Sequence, residues 1–323
     1  MAKVNSAIGI EYNSHEIRAV ELEKTAGGSY EIKAFGREVY SNNVTANGII
    51  ADGSLFTVAL NDLITRGGFT NVAPVVVGVN NENVIMRYAT FPKVPDDKLR
   101  NVITMQAQDF IPVPVSELGL DFVVIDETTD DDDQPALNVL LVGARTMMLQ
   151  NIIQSFENSK LEIVDIDSSF LAWCRVAIAE ANSDETFGFL NLTDDVLDFV
   201  AIADKEIKMV RSINIPDRAM IEVKKAFNEP DELTSLELET IADLLYSELS
   251  SSINYFQMQT GFIMNSVLFK AATELEEKIL EKLNEKSYVP LTIPKLYSEY
   301  STASFDASDY AGCISLAKVA LEG

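Results

Sequence analysis

The sequence predicts an α/β protein built from two related halves, each a mixed sheet flanked by helices. Residues 8–24 alternate apolar and polar side chains on both sides of a polar turn at Asn13 and Ser14, a pattern typical of two paired strands. Residues 187–202 repeat this strand, turn and strand, and each copy leads into a third strand. A repeated three-strand unit indicates internal duplication. At 323 residues the chain is also long enough to bury two cores.

The rest of the first half reads as alternating strands and helices. The pattern predicts a strand at residues 30–40, a helix at 55–66, a strand at 72–79 and, after an insert, a helix at 147–159, a strand at 161–166 and a helix at 168–181. The helix at 55–66 ends at Gly67 and Gly68, because glycine accepts the left-handed backbone of a helix C-cap. The apolar run at 72–79 is typical of a strand covered on both faces.

An insert with the order strand, helix, strand, strand interrupts the first half at residues 84–145. Its helix, at residues 97–110, must end before the Ile-Pro-Val-Pro segment at 111–114. Proline lacks the N–H donor that a helix needs, and it disfavours helical backbone in the residue before it. The two later strands are expected at 118–125 and 137–144.

The second half contains the repeated strands and four helices. We expect helices at 218–227, 236–258, 274–286 and 310–321, and strands at 206–213, 266–271 and 289–293. The polar residues 181–186 separate the halves. We therefore divide the chain into residues 1–83 and 146–182 for the first half, 84–145 for the insert and 183–323 for the second half.

Composition excludes several classes of function. The chain has 50 Asp and Glu residues against 25 Lys and Arg residues, which gives a formal net charge of −25 at pH 7. A field of this sign repels nucleic acid and anionic lipid headgroups, so neither is expected as a direct partner. Apolar runs are much shorter than the roughly 18 residues of a membrane span, and there is no signal-peptide core. We expect a soluble, cytoplasmic protein without direct membrane insertion.

Residues suited to catalysis or metal binding are sparse. His15 is the only histidine and lies in a turn, where we expect it to be solvated. Cys174 and Cys313 lack metal-ligand spacing and lie in apolar segments, so we expect buried, reduced thiols. The acidic loop at 130–133 lacks the central glycine and closing glutamate of a calcium loop. We therefore expect no catalytic residue and no metal site.

The order of elements resembles the actin/Hsp70-like fold, and within it the sequence is similar to the PilM family of type IV pilus assembly proteins, itself similar to FtsA. Residues 8–22 follow the PilM opening without a gap. Residues 88–122 are the most specific stretch, because their F-P-K-V-P, I-P-V-P-V and L-D-F segments resemble PilM-type proteins in particular. The resemblance implies two actin-like halves with an FtsA/PilM-like subdomain inserted in the first.

The resemblance also implies a cleft for ATP and magnesium, with altered residues in this chain. Family members carry an aspartate, a glycine and hydroxyl residues in each turn, and a double glycine at the adenosine. The corresponding positions here are Glu11, Asn13 and Ser14 in the first turn, Asn191, Asp194 and Asp195 in the second, and Ala271 and Ala272 after the late strand. Two carboxylates thus stand where the triphosphate would lie.

Like charges at this position oppose nucleotide binding. At ~4 Å and an effective dielectric of ~20, each such contact costs on the order of 4 kcal/mol unless a metal intervenes. We therefore expect weak or no ATP binding, no cofactor and a pseudo-ATPase that is not an enzyme. The alternative is an ATP-binding actin-like switch that uses ATP with magnesium, and a third possibility is a filament-forming protein similar to FtsA.

In PilM-type proteins, a groove between the first half and the insert takes the cytoplasmic N-terminal peptide of PilN, a bitopic membrane protein. The resemblance therefore implies a scaffold at the inner face of the cytoplasmic membrane. Other pilus platform components and a homo-oligomer are further expected partners. The residues expected to line the groove are Phe91, Pro92, Phe110, Ile111, Pro112 and Val113. Alternatively, these residues pack the insert against the first half.

Overall fold

The computed structural model describes residues 5–40, 43–70, 72–130, 132–271 and 273–322. Its strands are β1 (Ser6–Tyr12), β2 (Glu16–Lys24), β3 (Tyr30–Val39), β4 (Thr45–Ala46), β5 (Ile49–Ile50), β6 (Val75–Val79), β7 (Val84–Pro92), β8 (Leu118–Thr129), β9 (Pro135–Arg145), β10 (Ile163–Ser168), β11 (Phe187–Leu192), β12 (Val196–Ala203), β13 (Glu206–Asn214), β14 (Ser266–Lys270) and β15 (Leu291–Thr292). Its helices are α1 (Gly53–Gly67), α2 (Asp96–Gln106), α3 (Thr146–Asn158), α4 (Ser169–Glu180), α5 (Asp217–Asn228), α6 (Ser235–Thr260), α7 (Thr273–Lys286) and α8 (Ala311–Glu322).

Two five-stranded sheets repeat one topology. The first has the order β3-β2-β1-β6-β10, and the second has the order β13-β12-β11-β14-β15. In each sheet the first three strands form an antiparallel meander, and the last two strands continue the sheet in parallel. The predicted duplication is therefore confirmed. β1 and β11 are the middle strands of these two sheets, so the turns that follow them lie at corresponding positions. In each sheet this position is at the edge where the parallel strands end.

Helix α8 packs directly on β1 because Gly9 has no side chain. A Cβ at Gly9 would lie 1.9 Å from the carbonyl oxygen of Cys313 and 2.7 Å from the amide nitrogen of Ala317. Only glycine allows the two backbones to approach this closely. This packing places the first turn of α8 beside Glu11, near the end of β1.

The insert is a three-stranded antiparallel sheet with the order β7-β9-β8, covered on one face by α2. Phe91 and Ile103 lie in the small apolar core between them. On the other face, Met86 and Leu140 join an apolar cluster with α4 and the second sheet. The predicted strand, helix, strand, strand order is confirmed, although the division of the whole chain into four segments stays a prediction.

Several predicted elements are shorter than expected. The strand expected at 72–79 begins at Val75. The helix expected at 97–110 ends at Gln106 and is followed by a 3-10 turn at Ala107–Asp109. The strand expected at 289–293 is only Leu291–Thr292. Pro290 and Pro294 flank it, and proline has no N–H donor with which to extend a strand ladder.

Cys174 and Cys313 are both buried and both free, as expected. Within the described residues, no helix combines the length and apolar character needed to cross a bilayer.

Candidate functional site

The turns that follow β1 and β11 face each other across the cleft between the halves. In each turn, the side chain of the first residue accepts hydrogen bonds from the backbone of that turn. Asn13 Oδ1 accepts hydrogen bonds from the backbone N–H groups of His15 and Glu16, at 2.8 and 3.0 Å. Thr193 Oγ1 accepts one from the N–H of Val196 at 3.0 Å. The backbone N–H groups of His15, Glu16 and Val196 are therefore paired within their own turns.

Ser14 and Asp194 connect the two turns directly. Ser14 Oγ donates to Asp194 Oδ2 at 2.5 Å and accepts from the backbone N–H of Gly48 at 2.9 Å. Both side chains are buried, at 5% and 8% exposure. The hydroxyl of the first turn is thus bound to a carboxylate of the opposite half.

Asp195 makes a second contact across the cleft. Its Oδ2 accepts from the backbone N–H of Glu82, in the turn after β6, at 2.9 Å. Its Oδ1 accepts from the hydroxyl of Thr193 at 2.7 Å. Burial raises the pKa of Asp195 to about 7, and the charges of Asp194 and Glu82 add to the increase, while the two hydrogen bonds act in the opposite direction.

Asp198 makes a third contact. Its Oδ2 accepts from Asn80 Nδ2 of the first half at 2.8 Å, and its Oδ1 accepts from Ser212 Oγ of β13 at 2.5 Å. Asn191, the predicted replacement for the second acid, also donates to this carboxylate. Burial raises the pKa of Asp198 to about 6, and the hydrogen bonds oppose that rise.

Glu11, the predicted replacement for the first acid, contacts Trp173 and Cys313 through its two carboxylate oxygens. Its Oε1 accepts from Trp173 Nε1 at 2.9 Å, and its Oε2 lies 3.4 Å from the thiol sulfur of Cys313. A Cβ at Gly312 would lie 2.3 Å from the carboxylate, so α8 closes over it. Burial raises the pKa of Glu11, and Trp173, Lys270 and Cys313 moderate the rise.

The late strand ends in an internal ion pair. Lys270 Nζ lies 2.9 Å from Glu276 Oε1 and 4.6 Å from the ring centroid of Trp173. The backbone N–H of Ala271 donates to the same carboxylate oxygen at 3.1 Å. Ala272, also predicted at the adenosine position, lies outside the described residues.

Two adjacent cavities remain in the cleft. A cavity of about 100 Å³ lies between the turns, lined by Glu11, Asn13, Asn191, Asp194 and Ala271 among others. Small-molecule sites usually have roughly 300 Å³ or more. A second cavity of about 370 Å³ lies on the other side of Trp173 and Lys270, against residues 293–309. The cavity between the turns is therefore smaller than small-molecule sites usually are.

His15 is not a solvated turn residue, so that expectation is wrong. Its ring is half-buried and stacks on Phe227 of α5, with centroids 5.9 Å apart and planes 18° apart. The turn points toward the opposite half, which the sequence pattern of the turn alone does not reveal.

The six residues predicted to line a groove divide into two groups. Phe91 and Ile111 are buried in the core of the insert, at 1% and 4% exposure, so these two side chains pack the insert itself. Pro92 and Pro112 are exposed, Val113 is half-buried, and Phe110 is 38% exposed with its ring 5.2 Å from that of Phe91. Their role in partner binding stays a prediction.

Sequence reasoning missed the first-half donors Asn80 and Glu82, and it missed Asp198, which accepts from Asn80. Asn80 and Glu82 follow the buried strand β6, at the edge where parallel strands end. Asp198 stands between Leu197 and Phe199 in an otherwise apolar strand. A carboxylate in such a run signals a buried partner, because an isolated buried charge is costly.

Comparison with known families identifies the lineage of this fold. Residues 9–215, more than half of the chain, match the family described as type IV pilus assembly protein PilM. The chain belongs to the PilM family. The insert and both turns of this PilM-family protein lie within the matched range.

Solved structures support the same fold. The PilM-family chain is similar to a chain of a structure described as the PilM-PilN type IV pilus biogenesis complex, with a TM-score of 0.80 and 18% identity, over 99% of this chain and 100% of that one. It is also similar to ethanolamine utilization protein EutJ from Carboxydothermus hydrogenoformans, with a TM-score of 0.51 and 9% identity, over 97% and 89% of the two chains. The predicted actin-like fold is confirmed.

Proposed function

We propose that this PilM-family protein is a cytoplasmic scaffold of a type IV pilus or related secretion platform. In this role it binds the N-terminal tail of a PilN-like inner-membrane protein and so lies at the inner face of the membrane. The observation that carries the proposal is membership of the PilM family across residues 9–215. The full-length similarity to a chain of a PilM-PilN complex supports it.

A groove in the first half has the chemistry that such a tail requires. A cavity of about 380 Å³ lies between α3 and β10. Among its lining residues, Ile153 and Val164 expose apolar surface, at 40% and 52% exposure. Glu157, Glu162 and Asp165 give the same cavity a negative charge. An extended tail with apolar side chains and basic flanks complements this surface.

The backbone of β10 supplies further binding groups. Within the described residues, β10 pairs with β6 only, so its outer edge has no strand partner. The backbone N–H groups of Ile166 and Ser168 donate to the side chains of Asp165 and Asp167. An extended peptide can add to such an edge as a further strand. Burial raises the pKa of Asp165 in β10, and the charges of Asp167 and Asp121 raise it further. Because Asp121 belongs to β8, the insert borders this region.

The test is isothermal titration calorimetry with the cytoplasmic N-terminal peptide of the PilN-like protein from the same genome. We expect Val164→Glu to weaken binding at least about tenfold, because it removes an apolar contact and adds charge beside an edge strand. Its melting temperature should stay unchanged, since Val164 is exposed. Ile221→Glu, at an exposed position of α5 in the second half, is the control and should bind normally.

A normal affinity for the Val164→Glu variant would exclude the β10 groove. In that case Phe110→Ala and Pro112→Ala would test the insert surface that the sequence predicts. Failure of the wild-type protein to bind the peptide at all would contradict the scaffold proposal itself.

We also propose that ATP binds weakly or not at all, which makes the protein a pseudo-ATPase. The donors of the first turn are bound to Asn13 and Asp194, and the cavity between the turns has only about 100 Å³. A ligand that binds only the folded form raises the melting temperature with its concentration. We therefore expect no saturable increase in a thermal-shift titration with Mg-ATP. A saturable increase would instead favour the ATP-dependent switch.

A further inference from the structure

Three hydrogen bonds join the turns after β1 and β6 of the first half to β12 and the turn before it, and in all three the first half donates. The first-half donors are the hydroxyl of Ser14, the side-chain amide of Asn80 and the backbone N–H of Glu82. The second-half acceptors are the carboxylates of Asp194, Asp198 and Asp195, respectively.

These donors are of the kind that proteins use to bind anions. Hydroxyl groups and backbone N–H groups in turns form concave sites for phosphate and other oxyanions. A carboxylate is itself an oxyanion, and hydrogen bonds to charged acceptors are stronger than bonds between neutral groups. The second half therefore supplies, from its own side chains, the negative charge that these first-half donors accommodate.

We propose that these three carboxylates and their donors form an intramolecular latch that holds the cleft closed without a bound nucleotide. In the latch, the carboxylates of residues 194, 195 and 198 take the place of an external anion. The closed arrangement of the halves is then a property of the chain itself. The latch is independent of the peptide groove and of the identity of the peptide.

Burial and rim packing support the latch. The three carboxylates are between 1% and 8% exposed, although they lie between two halves that could separate. Opening would expose them to water and remove their first-half donors. His15 and Phe227 stack at the rim of the same cleft, which adds an apolar contact between the halves.

The amide proton of Glu82 reports directly on the latch, and hydrogen–deuterium exchange can measure it. We expect Asp195→Ala to accelerate this exchange at least about tenfold, because the amide loses its acceptor and the cleft opens more often. Asp195→Asn retains a side-chain oxygen that can accept, so its exchange should stay close to the wild-type rate. Asp184→Ala, an exposed second-half carboxylate, is the matched control.

Unchanged exchange at Glu82 in a folded Asp195→Ala variant would overturn the latch. A second measurement covers the case in which this variant does not fold. In a double-mutant cycle of Ser14→Ala and Asp194→Asn, followed by denaturant unfolding, a latch predicts that the two effects are not additive. Additive effects on the free energy of unfolding would also overturn it.

Discussion

At the scale of single residues, the chemistry of the cleft depends on which acceptor pairs with each hydrogen-bond donor. The resemblance predicts that Asn13 stands at the position of a glycine and Glu11 at the position of an aspartate of the family pattern. It does not show that Asn13 pairs the amides of its own turn, or that Glu11 is bound by Trp173 and Cys313. Both outcomes depend on side-chain directions that only the folded chain fixes.

Gly9 provides a prediction at this scale. Gly9→Ala should reduce the free energy of unfolding by about 1–3 kcal/mol, because its Cβ would overlap the backbone of α8 and force the helix away from β1. Denaturant unfolding measures the change. Because α8 also covers the Glu11 carboxylate, the cleft should loosen at the same time.

Gly27→Ala is the control for this substitution. At Gly27 the nearest atom to an added Cβ is 3.8 Å away, and we expect a change within about 0.5 kcal/mol. Equal effects of the two substitutions would show that backbone entropy, and not the α8 contact, explains the cost at Gly9.

At the scale of elements, periodicity identified the strands and helices but not which side chains face out. Phe91 and Pro92 were predicted together as groove residues, yet one is buried and the other exposed. They are adjacent in β7, and successive side chains of a strand point to opposite faces. Strand alternation therefore contained the signal that separates them. The shorter β15 has a similar explanation, since its length is limited by the flanking prolines.

At the scale of the whole molecule, the closed cleft joins residues that are far apart in the sequence. Ser14 and Asp194 are 180 positions apart, and Asn80 and Asp198 are 118 positions apart. In the closed cleft, burial of Asp195 and Asp198 disfavours their charged form. The free energy of unfolding should therefore depend on pH.

Stability should depend on pH through Asp195 and Asp198. Burial raises their pKa values in the folded protein, to about 7 and about 6, above the usual value of 3.8. The folded state therefore binds more protons than the unfolded state between about pH 4 and pH 7. This contribution to the free energy of unfolding is complete below pH 4 and is lost as the pH rises through 6 and 7. One pKa unit corresponds to about 1.4 kcal/mol, so we expect a loss of a few kcal/mol.

Denaturant unfolding of the wild type and of Asp195→Asn between pH 4 and pH 8 measures this contribution. The groups around Asp195 are Asp194, Glu82 and Thr193, and those around Asp198 are Asn80, Asn191, Ser212 and Cys174. Because the substitution removes only one titrating group, the difference between the two proteins isolates Asp195. A difference that is constant with pH would contradict the raised pKa.

The sequence by itself determined the duplicated meander, the insert and the altered turns, because strand alternation, prolines and the residue types in a turn are local properties of the chain. The family resemblance carried by residues 8–22 and 88–122 was equally readable from the sequence. Only the tertiary structure decided that Asp194, Asp195 and Asp198 meet donors of the first half, and that the free edge of β10 borders an apolar, acidic groove. The physical reason is that a hydrogen bond is set by the positions of two groups in space, and these positions depend on how the two sheets pack.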